Sequence, residues 1–561
     1  MKRKLAAIIA IVLGMTSVAA CSSSGEKEKE AEPEKSSVES KYSAPFEDGK
    51  YDPPVSISAV YAVGPAVTFK NGESIENNVH TRWAKENLGI DINYLWTAST
   101  QNQAYITKLR LMLSANQEFP DVIPVRGGDV AQELIDSGKV MEVGELFDKF
   151  AGKAWKDAMA EDPTVWYPYM RDGKKYGLPV LDYSQNQDAV LWIREDWLKK
   201  LNLEAPTTID ELEKVMDAFT NQDPDGNGKK DTYGLAYAGK NGFVGGMASA
   251  AWIFGAYGAI PQQWNLKDGQ LEYGSIDPGV KQGLAKMKEW VDKGYMPQDV
   301  GLYTPAQANE QYNKGSVGII AGPLWYDGPA GIASVAKNVP GAEVKAYPVP
   351  AGPDGKRGTN STPGVNGVVL LNKDMKNPDA FFVYWNYLFE NYANPAPGGE
   401  FEYGFAQGYD WDMVDGTPTS ARDKVPGGWV PADKYTLTFE GARIPSLQSQ
   451  TYLKLASGKA PETPFEKKIS ESVAKSWIEA GAIVEEQKSI AKPNVFTGPK
   501  TKTMLSKQEL LNTMELEAFT KIIYGKVPLD DFDKFVTQWK STGGDQITKE
   551  VNDWYQSVSG K

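Results

Sequence analysis

The run Asp223-Pro-Asp225-Gly-Asn227-Gly228-Lys229-Lys-Asp231 has the clearest chemical spacing in the chain. Oxygen donors recur at alternate positions, so a tight turn brings Asp223, Asp225 and Asn227 to one point, while the Lys229 carbonyl and Asp231 complete much of a shell. Gly228 permits the bend. Oxygen shells suit a hard cation, and the spacing matches the first nine positions of a calcium loop. At the twelfth position Gly234 stands where an EF-hand has a bidentate Glu, and Thr232 to Tyr237 reads as a strand, so the last ligand is unassigned. An acidic turn without an ion is the other reading of this string. On both readings the role is structural, since a saturated oxygen cage leaves no open position for chemistry.

His80 is the sole histidine and Cys21 the sole cysteine of 561 residues. A multi-histidine zinc site is therefore excluded, and any serine or cysteine nucleophile would have to share one imidazole. There is no Gly-x-Ser-x-Gly string, and the Gly-Lys pairs at 138, 173 and 355 are not followed by Ser or Thr, so no phosphate-cradling P-loop exists. If ATP drives the process this protein serves, another chain hydrolyses it.

Alternating strand and helix patterns must position whatever site there is. Val55 to Val60 and Ile90 to Tyr94 alternate like strands, Arg82 to Leu88 and Ile106 to Leu113 have helical spacing, and Asp121 to Val125 is a short apolar strand. Strands interleaved with helices argue for parallel βαβ units and an α/β lobe. Further on, Ala189 to Ile193 is an apolar run. Thr208-Ile-Asp-Glu211 forms a capping box, and Ile209, Leu212, Val215, Met216 and Phe219 share one face of the helix it starts. About 510 residues follow the N-terminal segments, more than one core usually serves, so two or more lobes are expected. The net charge of -13 disfavours nucleic acid and anionic membrane surfaces as partners of the folded body. Its 16 Trp, 27 Tyr and 19 Phe supply core and leave rings to stack on the apolar faces of a ligand.

At the N-terminus, Lys2, Arg3 and Lys4 precede the apolar stretch Leu5 to Val18, and two alanines precede Cys21. The stretch is too short to span a bilayer and reads as a secretory signal. Val18-Ala-Ala-Cys21 resembles a bacterial lipobox, in which the cysteine is acylated and becomes the mature N-terminus. Ser22 to Lys41 is mainly Ser, Glu and Lys; it cannot fold alone and suits a flexible tether at a membrane surface. The expected divisions are a signal peptide over 1–20 and an acylated tether over 21–50.

From about Tyr51 onward the chain resembles the extracellular solute-binding lipoproteins of ATP-binding-cassette (ABC) importers, in the long branch that serves carbohydrates. The resemblance rests on the order of several strings: Tyr176-Gly-Leu-Pro179, Leu191-Trp-Ile-Arg194-Glu-Asp-Trp-Leu198, Pro206-Thr-Thr-Ile-Asp-Glu-Leu212, Gly315 to Trp325, Tyr347 to Gly355, and Gly364-Val-Asn-Gly-Val-Val369 with Asn377 to Phe382. It implies a two-lobe, periplasmic-binding-protein-like α/β fold with a hinge and discontinuous lobes, 51–186 with 365–435 and 187–364 with 436–561. The segments 510–524 and 530–539 would be helices packed back on a lobe. It also implies capture of an oligosaccharide between the lobes, presentation to ABC permease subunits in the membrane, anchoring through the N-terminal lipid, and no catalysis.

Trp325 matches the family's stacking tryptophan, with Tyr326 beside it as a hydrogen-bonding partner; a core aromatic is the rival reading. Trp252, flanked by small residues, fits either a ring exposed at a cleft or core packing. Tyr183 and Gln185, with Asn186 and Gln187, follow a strand end where polar groups would project into a hinge cleft, or form a plain surface turn. Trp96 and Arg126 end earlier strands and are similar candidates. A lipid-anchored polysaccharide lyase or glycosidase would also be acidic and aromatic, but no carboxylate pair stands out for it. An adhesion protein would have repeats, and none is visible at a period of about 20 to 50 residues.

Overall fold

The strand patterns of the sequence sort into two main sheets. The computed structural model describes residues 46–560 except 48, 65, 66, 241 and 330. Cys21, its leader and most of the tether lie outside the described residues. In chain order, the elements of the first sheet and its helices are β1 (Val55–Val63), α1 (Val79–Leu88), β2 (Ile90–Ser99), α2 (Ala104–Ser114), β3 (Val122–Val125), α3 (Gly128–Asp136) and β4 (Leu178–Leu181). There follow β5 (Val190–Arg194), α4 (Ile209–Asn221), β6 (Tyr233–Ala236), α5 (Pro278–Asp292), β7 (Val317–Gly322), β8 (Val344–Tyr347), β9 (Val365–Leu371) and α6 (Asp379–Asn391). The tail ends in α7 (Lys502–Ile523), α8 (Asp531–Trp539) and α9 (Asp545–Ser559).

The first sheet has the order β2-β1-β3-β9-β4, with β1 parallel to both neighbours and β9 antiparallel to β3 and β4. The second has the order β6-β7-β5-β8. β3, β4, β5 and β7 are buried along their whole length, which is why they read as continuous apolar runs without alternation. α4 begins as its sequence dictates: Thr208 Oγ1 accepts from the Glu211 N–H, and Glu211 Oε2 accepts from the Thr208 N–H. Ile209, Leu212, Val215, Met216 and Phe219 all enter the core of the second lobe. The tail helices pack there too. Tyr273 stacks on Trp539 at 4.8 Å and donates its hydroxyl to Glu515 at 2.9 Å, while Lys281 on α5 pairs with Asp530 and Asp533.

Three segments run side by side between the sheets. The Asp182 N–H donates to the Gly364 carbonyl at 2.8 Å and the Ser184 N–H to the Pro445 carbonyl at 2.9 Å, so 182–188, 361–364 and 443–446 are tied together. Arg443 Nη1 donates to Asp182 Oδ1 at 2.5 Å. Within this bundle Asp188, 3% exposed, accepts from Ser361 Oγ at 2.7 Å and the Thr362 N–H at 3.4 Å. Burial pushes its carboxyl up to about 7 despite those two bonds, which pull the other way. Among the described residues no helix is long and apolar enough to cross a membrane.

Candidate functional site

Because β1, β2 and β3 are parallel, their carboxyl ends lie along one edge of the first sheet, where the loops of an open α/β sheet converge on a ligand. A cavity of about 700 Å3 opens there. Gly64, Thr100 and Arg126, one from each strand end, line it together with the first turns of α2 and α3. Lys434 and Phe439 reach it from a distant part of the chain. Tyr105 and Phe439, 2% and 3% exposed, form the floor. The Tyr105 hydroxyl donates to the Pro124 carbonyl at 2.7 Å, and the Phe439 ring meets Tyr61 and Tyr105 edge-on. Phe439 has a φ of 65°, a left-handed conformation that a bulky side chain rarely adopts. The hydroxyls of Thr436 and Thr438 hold that turn by donating to the Glu440 carbonyl at 2.6 and 2.5 Å.

The charged residues lining the cavity are Arg110, Arg126 and Lys434 against Asp129. Behind them the Glu440 carboxylate, 4% exposed, accepts from Arg126 Nη2 at 2.6 Å, from Arg443 Nη2 at 2.5 Å and from Lys434 Nζ. Burial alone would raise its pKa, but Arg443, Lys434 and Arg126 outweigh that and hold it down at about 2. At the rim, Lys500 of the tail donates to Asp129 Oδ2 at 3.1 Å, linking α3 of the first lobe to the segment that packs on the second.

Of the side chains the sequence points to, Arg126 lines this cavity. Trp96 stands one layer back, 5.3 Å from the Tyr105 ring and covered by Lys108 Nζ at 4.3 Å. Tyr183 and Gln185 lie on the first crossing segment, where Arg443 sits 5.0 Å over the Tyr183 ring and Gln185 has a φ of 56°. Trp325 is half-buried beside the same segment, its indole N–H donating to the Asn186 carbonyl at 3.0 Å.

Two expectations are corrected. Trp252 is 1% exposed and donates its indole N–H to the Ser249 carbonyl at 3.1 Å, so it belongs to the core of the second lobe. Its small neighbours serve close packing: a Cβ on Gly255 would come within 1.9 Å of the Gly358 carbonyl oxygen. Tyr326 is fully buried and donates its hydroxyl to Asn309. Gly322 and Gly331 make its socket, since a Cβ on Gly322 would lie 1.9 Å from the ring. His80 is likewise core, its Nε2 2.8 Å from the Tyr384 hydroxyl, and burial lowers its pKa to about 3.

The acidic loop folds as a knot of its own groups. The N–H groups of Asn227 and Gly228 each donate to Asp223 at 3.0 Å, and Asn227 Nδ2 donates to Asp225 at 2.7 Å and Asp231 at 3.1 Å. Asp225 is pushed up by burial, with its acidic neighbours Asp223 and Asp231 adding to the shift. Among the described residues no three His, Cys, Asp or Glu side chains gather closely enough to hold a metal by themselves, so an ion here needs the Asn227 and backbone oxygens too.

The sequence reading missed Tyr105, Arg110, Lys434, Phe439 and Glu440. Arg110 sits at helical spacing from Ile106, both on the side of α2 that faces the cavity.

The model of the bacterial extracellular solute-binding protein family matches residues 66–411. The polygalacturonan/rhamnogalacturonan-binding protein YtcQ of Bacillus subtilis (strain 168) is 26% identical over 389 residues, 69% of this chain and 71% of that one. Lipoprotein LipO of the same strain is 24% identical over 84% of this chain and 87% of its own. Among solved structures, an HMO binding ABC-transporter associated solute binding protein of Bifidobacterium longum infantis ATCC 15697 superposes with a TM-score of 0.66 at 18% identity, over 91% of this chain and 99% of its own.

Proposed function

Since the chain belongs to the bacterial extracellular solute-binding proteins, we propose that it captures an oligosaccharide at the carboxyl edge of β1–β3 and delivers it to an ABC permease. The family is one of binding proteins, and the lyase and glycosidase readings fall with it. The observation that carries the proposal is the cavity of about 700 Å3, bounded by strand ends of one lobe and linked to the tail of the other through Asp129 and Lys500. A ligand that touches both sides favours the closed arrangement, so capture needs no covalent step. Kinship with YtcQ, named for binding polygalacturonan and rhamnogalacturonan, supports a glycan as the solute.

Acylation of Cys21 would hold the protein at the outer face of the cell membrane, a reading that kinship with LipO supports. Asp223, Asp225, Asn227, Lys229 and Asp231 would hold a structural calcium ion, which would relieve the repulsion among the three carboxylates. Calorimetric titration of the detergent-solubilised full chain with a panel of oligosaccharides tests the main reading. Saturable binding with the sugar recovered intact is expected; failure of every glycan to bind, or consumption of the sugar, would overturn it.

A further inference from the structure

The chain as a whole repels anions, with a net charge of -13. The cavity at the carboxyl edge of β1–β3 does the reverse. Arg110, Arg126 and Lys434 face it, and Asp129, the one carboxylate in the lining, is paired with Lys500. Glu440 does not balance the cluster. It is one charge shared by Arg126, Lys434 and Arg443, while Asp182 and Asp433 act on Arg443, the member of the three that does not line the cavity. Arg126 Nε is buried without a hydrogen-bond partner, and Arg110 meets Glu133 through Nε and Nη2, leaving Nη1 outside that pair.

The backbone adds to this. α3 starts at the cavity with Gly127 as its N-cap, so no side chain caps its first N–H groups, and α2 likewise starts there without a side-chain cap. Uncapped helix starts carry partial positive charge. The lining is therefore rich in donors and poor in acceptors, whereas a neutral sugar, whose hydroxyls both donate and accept, is best met by a balance of the two.

We propose that the solute is an acidic oligosaccharide, with a sugar carboxylate held by Arg126 and Arg110 beside Lys434. This rests on the oligosaccharide reading above and deepens it. Guanidinium forks match the two oxygens of a carboxylate, and such charge-assisted bonds are about twice as strong as neutral ones.

The test is titration of the detergent-solubilised full chain with a uronate oligosaccharide, its methyl ester and a neutral oligosaccharide of equal length, at low and high salt. The acid binds about tenfold or more tighter than its ester, and the advantage shrinks as salt screens the charges. Arg126→Gln and Arg110→Gln each remove about tenfold of the acid's affinity and cost the ester markedly less. Arg110 pairs with the half-exposed Glu133, so its variant keeps the test valid if the loss of Arg126 unsettles Glu440. Equal affinity for acid and ester, or a preference for the neutral sugar, overturns the carboxylate assignment while the oligosaccharide reading stands. If no sugar binds, that reading fails first.

Discussion

Glu440 and Glu515 are the same residue in almost the same degree of burial, 3% and 1% exposed, one behind the cavity and one in the core that α7 joins. Glu440 stands behind the cavity among Arg443, Lys434 and Arg126 and is held at about 2. Glu515, on α7 in the core of the second lobe, accepts from the Tyr273 hydroxyl at 2.9 Å, and burial, opposed only by neutral donors such as Tyr273, Ser275 and Gln262, pushes it up to about 7. Burial penalises the charged form in both places, and the sign of the outcome is set by whether cations oppose it. One buried carboxylate aligns cations at a cavity; the other is kept as a hydrogen-bonded core group.

Removing the charge should break the first arrangement and improve the second. Glu440→Gln leaves Arg126, Lys434 and Arg443 facing one another without their shared anion. A loss of about 3 to 5 kcal/mol in urea unfolding is expected near neutral pH, the usual scale for breaking a buried ion pair. In the wild type Glu440 is ionised in the fold down to about pH 2. Its contribution is present above the unfolded value near 4.3 and is lost as pH falls through about 2. The penalty of the variant should therefore shrink over that acid window.

Glu515→Gln has the opposite sign. The folded carboxyl keeps its proton up to about pH 7, whereas the unfolded one loses it near 4.3. Between these values the folded chain binds the extra proton, so wild-type stability falls as pH rises through the window. Gln carries no proton to lose. The variant should gain on the wild type by roughly 3 to 4 kcal/mol between pH 4 and 8, read by unfolding at both pH values. An unchanged difference across that range would show that Glu515 is ionised in the fold.

The difference between these two glutamates could not be read from the sequence, and the reason is sequence distance. The Asp121 to Val125 strand and the terminal position of Arg126 are legible because apolar periodicity is local. So is α4, whose capping box and apolar face arise from residues within one helix. Glu440 and Lys434 meet Arg126 from far along the chain, through a turn whose left-handed residue is Phe439, and no local pattern marks that approach. Trp252 and Tyr326 failed for a different reason. The small neighbours of Trp252 fit an exposed ring and close packing equally, and Tyr326 is a candidate only through its place beside Trp325, whereas Gly255, Gly322 and Gly331 make room for close packing. A glycine beside an aromatic residue fixes how near the next surface comes and leaves open whether that surface is protein or ligand.

The acidic loop sharpens the comparison, because its one cation contact among the described residues, from Lys200, goes to the Asp223 and Pro224 carbonyl oxygens and not to the carboxylates. If calcium plays there the part that Arg126, Lys434 and Arg443 play for Glu440, chelation should lower the melting temperature by a few degrees and calcium should restore it. Asp225→Asn should reduce that response. By mass action, ion at about 100 times its dissociation constant stabilises by about 2.7 kcal/mol. A melting temperature indifferent to chelator would leave the loop as a self-bonded acidic turn.

The smallest effect is expected at the rim. Asp129 and Lys500 form their pair with about half of each side chain in water, 58% and 52% exposed, so it is screened and worth roughly 0 to 1 kcal/mol. Lys500→Ala should hardly change unfolding. It removes the lysine paired with Asp129 and leaves that carboxylate to draw on Arg110 and oppose an acidic sugar, so a weaker affinity for the uronate at unchanged stability is expected. An equal loss for the acid and its methyl ester would instead make the pair a contact between the lobes that any ligand needs, and the charge balance of the cavity would then rest on Arg110, Arg126 and Lys434 alone.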